Sequence, residues 1–144
     1  MEHIKNFVQL TDRFATAGQP APADFAAIAE HGHVAVVNLA MPDSTNAIPD
    51  EGARVSETGM TYVHIPVPFD APTDTHQAHL DAVLDALSPA PVFVHCALNY
   101  RVSAFMYRHL TARGAPAEAA RSRILDAWEP EMDDVWRRFL GWFR

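Results

Sequence analysis

The chain has 144 residues, of which 49% are hydrophobic and 20% charged, a composition typical of an ordinary soluble globular protein. One domain over residues 1–144 is expected, long enough to bury a sizeable core. The net charge of −7 argues against nucleic acid or an anionic membrane as a partner. No stretch has the length of a membrane span, and residues 1–6 lack the pattern of a signal peptide. The single cysteine excludes an intrachain disulfide and favours a reducing, cytoplasmic location.

Hydrophobic patterning predicts strands and helices in alternation. A weakly amphipathic lead-in over 2–10 precedes a short edge strand at 14–17, and further strands are predicted at 34–39, 61–65 and 92–95. Helices are predicted over 22–30, 50–58, 80–87, 102–111, 116–127 and 132–143. This alternation predicts an α/β fold, a mostly parallel sheet flanked by helices. Ligands of such sheets bind beyond the carboxyl ends of the strands.

One run of the sequence carries most of the chemistry. The predicted strand at 92–95 ends in Cys96, a short loop leads to Arg101, and apolar residues at helical spacing follow. Cys96 is therefore expected where a strand ends and a helix begins. Free backbone N–H groups at such a position stabilise an anion and favour a nucleophilic thiolate. Arg101 adds a planar, permanently charged fork that suits a tetrahedral oxyanion.

The loop resembles the signature of the cysteine-dependent phosphatases, in which His-Cys is followed by five residues, an arginine, and Ser or Thr. Here only residues 97–100 separate the cysteine from the arginine. Aligned without a gap, Val102 falls on the arginine position and Ser103 on the hydroxyl position. The mid-loop glycine is matched by Asn99, a residue that enters the left-handed region readily. Four-residue spacing is also found in sulfurtransferases of the rhodanese type, so the loop alone leaves two chemistries open.

The wider chain resembles a bacterial family of small dual-specificity-phosphatase-like domains. These domains occur alone or fused to a metallo-β-lactamase-like domain linked to sulfur metabolism. Four segments carry the resemblance in the same order along the chain: Phe14–Pro20, Val36–Leu39, Tyr62–Pro66 and Val94–Phe105. The resemblance spans most of residues 11–112, and its specific parts are Ala-Gly-Gln-Pro and His-Cys. It implies the dual-specificity phosphatase fold.

The resemblance also implies roles for the residues of the loop. Cys96 would attack phosphorus, and water would hydrolyse the phosphocysteine intermediate. Arg101 and the loop amides would bind the three equatorial oxygens, and Ser103 would hydrogen-bond the leaving thiolate. The phosphate-binding loop would further comprise His95, Ala97, Leu98, Asn99, Tyr100 and Val102. In this scheme the histidine supports the end of the strand and is not a general base.

The general acid departs from the family pattern. Dual-specificity phosphatases commonly carry an Asp directly after Ile-Pro, and here Val67 occupies that place. Asp70 is the predicted acid, and Asp43 and Asp74 are carboxylates on the same predicted edge. Without a proton donor, hydrolysis of an alkyl phosphate slows roughly 10²–10⁴-fold, whereas a phenolic leaving group depends less on the acid.

The favoured function is hydrolysis of phosphate monoesters, phosphotyrosine-like, on a phosphorylated small molecule or protein. No cofactor is expected and no metal site, because His76 and His79 share a helix face without a matching pair of ligands nearby. One alternative is a sulfurtransferase-like or persulfide-handling protein built on the same loop. The other is a catalytically silent phosphoryl- or anion-binding module, which the shortened loop and Val67 motivate. Periodicity does not distinguish a buried apolar face from an oligomer interface.

Overall fold

A computed structural model describes residues 1–143 of the chain. Its strands are β1 (Val8–Gln9), β2 (Phe14–Ala17), β3 (Ala35–Asn38), β4 (Thr61–His64) and β5 (Val92–His95). Its helices are α1 (Asp24–Glu30), α2 (Glu51–Glu57), α3 (Asp74–Ala86), α4 (Tyr100–Ala112), α5 (Ala117–Ala120), α6 (Arg123–Trp128) and α7 (Asp134–Leu140), with a 3₁₀ turn at Glu129–Glu131.

The strands form one five-stranded sheet in the order β1-β2-β5-β3-β4. Only β1 runs antiparallel to its neighbour, while β2, β5, β3 and β4 are parallel. The predicted α/β fold with a mostly parallel sheet is therefore confirmed. Since β5 is the central strand, the loop that follows it leaves the middle of the carboxyl edge, where such sheets bind ligands.

Helices cover both faces of the sheet because the strands are apolar on both sides. Along β5, Val92 and Val94 belong to a core shared with α3, α4, α6 and α7, whereas Phe93 packs with α1 and α2. Every residue of β3 and β5 is buried, as is typical of parallel strands with helices on both faces. Side chains alternate between faces along a strand, so His95 and Cys96 leave β5 toward opposite layers.

Three predicted elements differ in the structure. Residues 14–17 are not an edge strand, because the lead-in contributes β1, which pairs Val8 with Thr16 and covers β2. Helix α3 begins at Asp74, earlier than its apolar stripe indicates, because Thr73 and His76 form a capping box. The helix predicted over 116–127 is broken in two, because Ser122 caps α6 by accepting a hydrogen bond from the Leu125 N–H. Within residues 1–143, no helix combines the length and apolar character needed to cross a membrane.

Candidate active site

The loop between β5 and α4 has the geometry of an anion-binding turn. Asn99 has a φ of 71°, in the left-handed region that its residue type tolerates. The Ser103 N–H donates to the Asn99 carbonyl over 3.1 Å, and this is the bond that opens α4. The N–H groups of Tyr100, Arg101 and Val102 precede it, so they have no acceptor within the helix. Unpaired donors and the positive end of α4 thus lie next to Cys96.

The side chain of Asn99 fixes the loop to the sheet. Its amide nitrogen donates to the Asn6 carbonyl over 2.9 Å and lies 3.1 Å from the Thr16 hydroxyl. Its amide oxygen accepts a hydrogen bond from the Ser103 hydroxyl, which in turn accepts from Ser122. The hydroxyl of Ser103 therefore supports the loop in this structure, and its expected bond to the thiolate stays a prediction.

The Ala-Gly-Gln-Pro segment supports the same loop from β2. A Cβ atom on Gly18 would lie 2.5 Å from the Ala97 carbonyl oxygen, so only glycine allows this approach. The Gln19 N–H donates to the same oxygen over 3.0 Å, and the Cys96 N–H donates to the Ala17 carbonyl over 3.3 Å. The structure thus explains the motif, because its residues hold the backbone at the Cys96 N–H and at the Ala97 carbonyl.

Cys96 and Arg101 border a single cavity of about 60 Å³, together with Phe69, Ala97, Leu98 and Tyr100. The thiol is buried, whereas Phe69 and Leu98 are 42% and 43% exposed and form the rim. Arg101 donates from Nη1 to the Val67 carbonyl over 2.9 Å. Across residues 1–143 it forms no ion pair with a carboxylate, so its charge is left for a ligand. Val102, which falls on the family's arginine position, is buried in the core.

The structure does not bring Asp70 to this cavity. Phe69 occupies the rim, and Asp70 borders a separate groove with Val135, Arg138 and Phe139. The reason is a tight turn after Pro68, held by a hydrogen bond from the Trp136 indole to the Phe69 carbonyl over 2.8 Å.

The two other candidate carboxylates also lie off the cavity. Asp74 borders the same groove as Asp70 and pairs with Arg108, and Asp43 is not among the residues that line the cavity. The lining residues of the cavity therefore include no carboxylate.

Aromatic side chains surround the mouth of the cavity. Tyr100 stacks on Trp128 with ring centroids 5.3 Å apart and planes at 20°, and Phe69 contacts both Trp128 and Trp136. A neighbouring groove of about 300 Å³ continues from Tyr100 and Trp128 to Arg123. The entrance thus offers flat apolar surfaces that suit an aromatic group.

Behind the loop lies a buried acid–histidine pair that sequence reasoning missed. Glu51 Oε2 is 2.6 Å from His95 Nε2, and Glu51 Oε1 accepts a hydrogen bond from Gln19 over 2.7 Å. Burial alone would raise the pKa of Glu51, but hydrogen bonds from His95, Gln19 and Tyr62 outweigh burial and hold that pKa below its usual value. No sequence signal separates Glu51 from an ordinary acidic residue in the first turn of a helix.

Comparisons with known proteins agree with this geometry. Residues 6–120 match the family model described as "Beta-lactamase hydrolase-like protein, phosphatase-like domain". A DUF442 protein of Shewanella putrefaciens is 28% identical, with 97% of this chain and 91% of that chain covered and a TM-score of 0.87. No curated protein matches the sequence.

More distant solved structures share the fold. TpbA of P. aeruginosa is 20% identical, with 95% and 91% of the two chains covered and a TM-score of 0.63. The core catalytic domain of the PP-IP phosphatase SIW14 of S. cerevisiae is 11% identical, with 98% and 86% covered and a TM-score of 0.71. The resemblance found in the sequence is thereby confirmed. Because the family model matches most of its length, the chain belongs to the family of phosphatase-like domains found in Beta-lactamase hydrolase-like proteins.

Proposed function

We propose that the protein is a cysteine-dependent phosphatase that hydrolyses aryl phosphate monoesters, such as phosphotyrosine. The observation that carries the proposal is the placement of Cys96 and Arg101 on one small cavity at the start of α4. Among the related folds, TpbA has been crystallised with phosphotyrosine. The aromatic rim formed by Phe69, Tyr100 and Trp128 fits the ring of such a substrate.

The reaction would proceed in two displacements. The Cys96 thiolate attacks phosphorus, the S–P bond forms, and the P–O bond to the leaving group breaks with its electron pair on oxygen. Water then attacks phosphorus, the S–P bond breaks, and inorganic phosphate leaves with the thiolate restored. Arg101 and the free amides at the start of α4 would stabilise the equatorial oxygens, where charge develops in the transition state.

The leaving group determines which esters are substrates. The lining residues of the cavity include no carboxylate to protonate a leaving oxygen. A phenolate leaves without full protonation, whereas an alkoxide does not, and a general acid typically contributes about 10²–10⁴-fold. We therefore expect aryl phosphates to be hydrolysed much faster than phosphoserine or glycerol phosphate.

The test is hydrolysis of p-nitrophenyl phosphate between pH 5 and 8 by the wild type and by Cys96→Ser. Turnover by the wild type that disappears in Cys96→Ser supports the proposal, and equal rates in the two proteins contradict it. Arg108→Lys, at a half-buried arginine of α4 that is not among the residues lining the cavity, serves as a matched control that should retain activity. Phosphoserine under the same conditions measures the preference for aryl esters.

The absence of a carboxylate from the cavity lining also favours a second candidate, a silent module that binds phosphoryl groups. It predicts that phosphate binds to the wild type, measured by calorimetry, without turnover of any ester. The sulfurtransferase alternative is tested with thiosulfate and cyanide on the same two proteins. Cysteine-dependent thiocyanate formation would replace the phosphatase proposal.

A further inference from the structure

Helix α2 and strand β5 are joined by a buried acid–histidine contact that the proposed reaction does not use. Glu51 is 3% exposed and His95 is 0% exposed. The 2.6 Å contact joins the carboxylate to Nε2 of the ring, while the other ring nitrogen, Nδ1, lies 3.1 Å from the Cys96 carbonyl oxygen. His95 thus bridges a buried carboxylate and the backbone of the cysteine.

The hydrogen-bond partners define the charge of the ring. A carbonyl oxygen only accepts, so His95 Nδ1 carries a proton toward Cys96. Glu51 Oε1 accepts a hydrogen bond from the Gln19 amide over 2.7 Å, so both carboxylate oxygens lie against nitrogen atoms, as suits the ionised form. Both ring nitrogens of His95 thus face oxygen acceptors, a carbonyl at Nδ1 and a carboxylate at Nε2, which is the arrangement that suits an imidazolium with two N–H donors.

This arrangement acts on the cysteine loop in two ways. The peptide between Cys96 and Ala97 is planar and trans, so holding its C=O toward His95 turns the Ala97 N–H away from His95. Ala97 borders the cavity, so the orientation of this donor matters to an anion there. The ring also meets the backbone of Cys96 at its carbonyl oxygen, so its charge acts on the thiol from the opposite side of the sheet.

We propose that Glu51 is a positioning residue that acts through His95: it orients the Cys96–Ala97 peptide and holds a positively charged ring at the Cys96 carbonyl, so that Cys96 reacts as a thiolate near neutral pH. The inference goes beyond the proposed function, because it concerns the reactivity of the thiol and applies to any chemistry at this loop. It rests on the proposed function only for its effect on phosphatase turnover.

Other titratable or charged residues lie close to the acid–histidine pair or to the cavity. Tyr62 of β4 faces Glu51, and burial followed by the charge of Glu51 raises the pKa of this tyrosine to about 12, so it stays neutral. Tyr100 and Arg101 of α4 border the cavity with Cys96, and the arginine is permanently charged. His64 of β4 lines a cavity together with Glu51 and Tyr62, so His64→Gln is measured beside Glu51→Gln to separate its contribution to the pH response from that of the acid–histidine pair.

The experiment measures alkylation of Cys96 by iodoacetamide between pH 4 and 9 in the wild type and in Glu51→Gln. Because the chain has one cysteine, mass spectrometry counts reaction at this site alone. Glutamine keeps the shape of Glu51 but removes its charge, so we expect the midpoint of the pH profile to rise by about one pH unit. Glu57→Gln removes an exposed charge from the last turn of the same helix and should leave the midpoint unchanged.

Two outcomes in a folded Glu51→Gln protein would overturn the proposal. The first is an unchanged midpoint of the alkylation profile. The second is slower alkylation at every pH with the same midpoint, which a merely structural role of Glu51 would give. If the variant does not fold, ¹⁵N NMR of the His95 ring in the wild type decides. Protons on both nitrogens at pH 7 are expected, and a ring with one proton contradicts the proposal. Since alkylation needs no phosphate ester, a shifted midpoint without ester turnover would reject the proposed function alone.

Discussion

The two loops that meet at the candidate site are held in different ways. The loop after β5 is held by the sheet and by short polar bonds, chiefly those of Asn99 to Asn6 and Thr16. The loop after β4 is held by aromatic packing from the end of the chain, where Trp136 bonds to the Phe69 carbonyl and contacts its ring. The first loop therefore depends on polar bonds to the N-terminal segment and to β2, and the second depends on how the C-terminal helices dock.

Truncation of Trp136 should have the largest effect. Its ring is fully buried and contacts Phe69, Phe105, Trp128 and Phe139. We expect Trp136→Ala to lower the free energy of unfolding by about 3–5 kcal/mol, as is usual for a buried Trp. Urea unfolding followed by circular dichroism measures this. Trp142→Ala, at a half-buried tryptophan beyond α7, is the control, and equal losses at both positions would show that α7 does not hold the second loop.

Arg101 joins the two loops, so its replacement tests their coupling. The guanidinium donates to the Val67 carbonyl and also borders the cavity. Lysine offers a point charge in place of this fork, so Arg101→Lys should reduce kcat/KM for p-nitrophenyl phosphate roughly 10²–10³-fold. Arg108→Lys should change kcat/KM less than about twofold, because that side chain pairs at the surface with Asp74. Wild-type turnover in Arg101→Lys would mean that the fork plays no part in the reaction.

Substitutions of Asn99 test which interactions hold the first loop. Asn99→Gly loses the side-chain hydrogen bonds but keeps the left-handed conformation without strain, whereas Asn99→Ala loses the bonds and bears the strain. We expect Ala to be less stable than Gly by roughly 1–2 kcal/mol, the usual cost of this conformation for a residue with a Cβ atom. Equal unfolding free energies would show that the loop relaxes to another conformation when the asparagine is absent.

Local sequence predicts most of what the first loop does. The apolar runs at β3 and β5, the cysteine at the strand end and the left-handed Asn99 all follow from residues within a few positions of each other. Periodicity also placed the helices, within a few residues at most ends. It missed β1, because two residues are too few to show a pattern, and it missed the break at Ser122, because a cap competes with an apolar stripe that continues through it.

The remaining features depend on contacts between distant parts of the chain. Phe69 rather than Asp70 reaches the cavity because Trp136 bonds to the backbone there, and no nearby residue signals that contact. Glu51 is buried because His95 of β5 and Gln19 of the loop after β2 come to it from distant parts of the chain. The sequence identifies which residues carry charge, but tertiary packing determines which of those side chains lie at the site.

The helices behind the two loops should also differ in their response to pH. His109 of α4 is buried against Asp81 of α3, and burial lowers its pKa although the carboxylate opposes this shift. The unfolded chain therefore takes up a proton near pH 6.5 that the folded chain resists, so stability falls as pH falls below about 6.5. His109→Gln should flatten the stability profile between pH 7 and 5 by up to about 1.4 kcal/mol per pH unit. His79→Gln, at an exposed position on α3, should leave the slope unchanged, and an unchanged slope in both variants would show that His109 titrates alike in the two states.

Substitution of Asp70 should have the smallest effect, and it tests whether the second loop supplies a proton to the leaving group. Since Asp70 borders a groove with Val135 and Arg138 and not the cavity, Asp70→Asn should change kcat for p-nitrophenyl phosphate and for phosphoserine by less than about twofold. Asp74→Asn, in the same groove, is the matched control. A loss of roughly 10²–10⁴-fold with phosphoserine, together with loss of the alkaline limb of the pH profile, would instead identify Asp70 as the general acid. The loop after β4 would then have to rearrange when substrate binds, and the hydrogen bond from Trp136 to the Phe69 carbonyl would have to break.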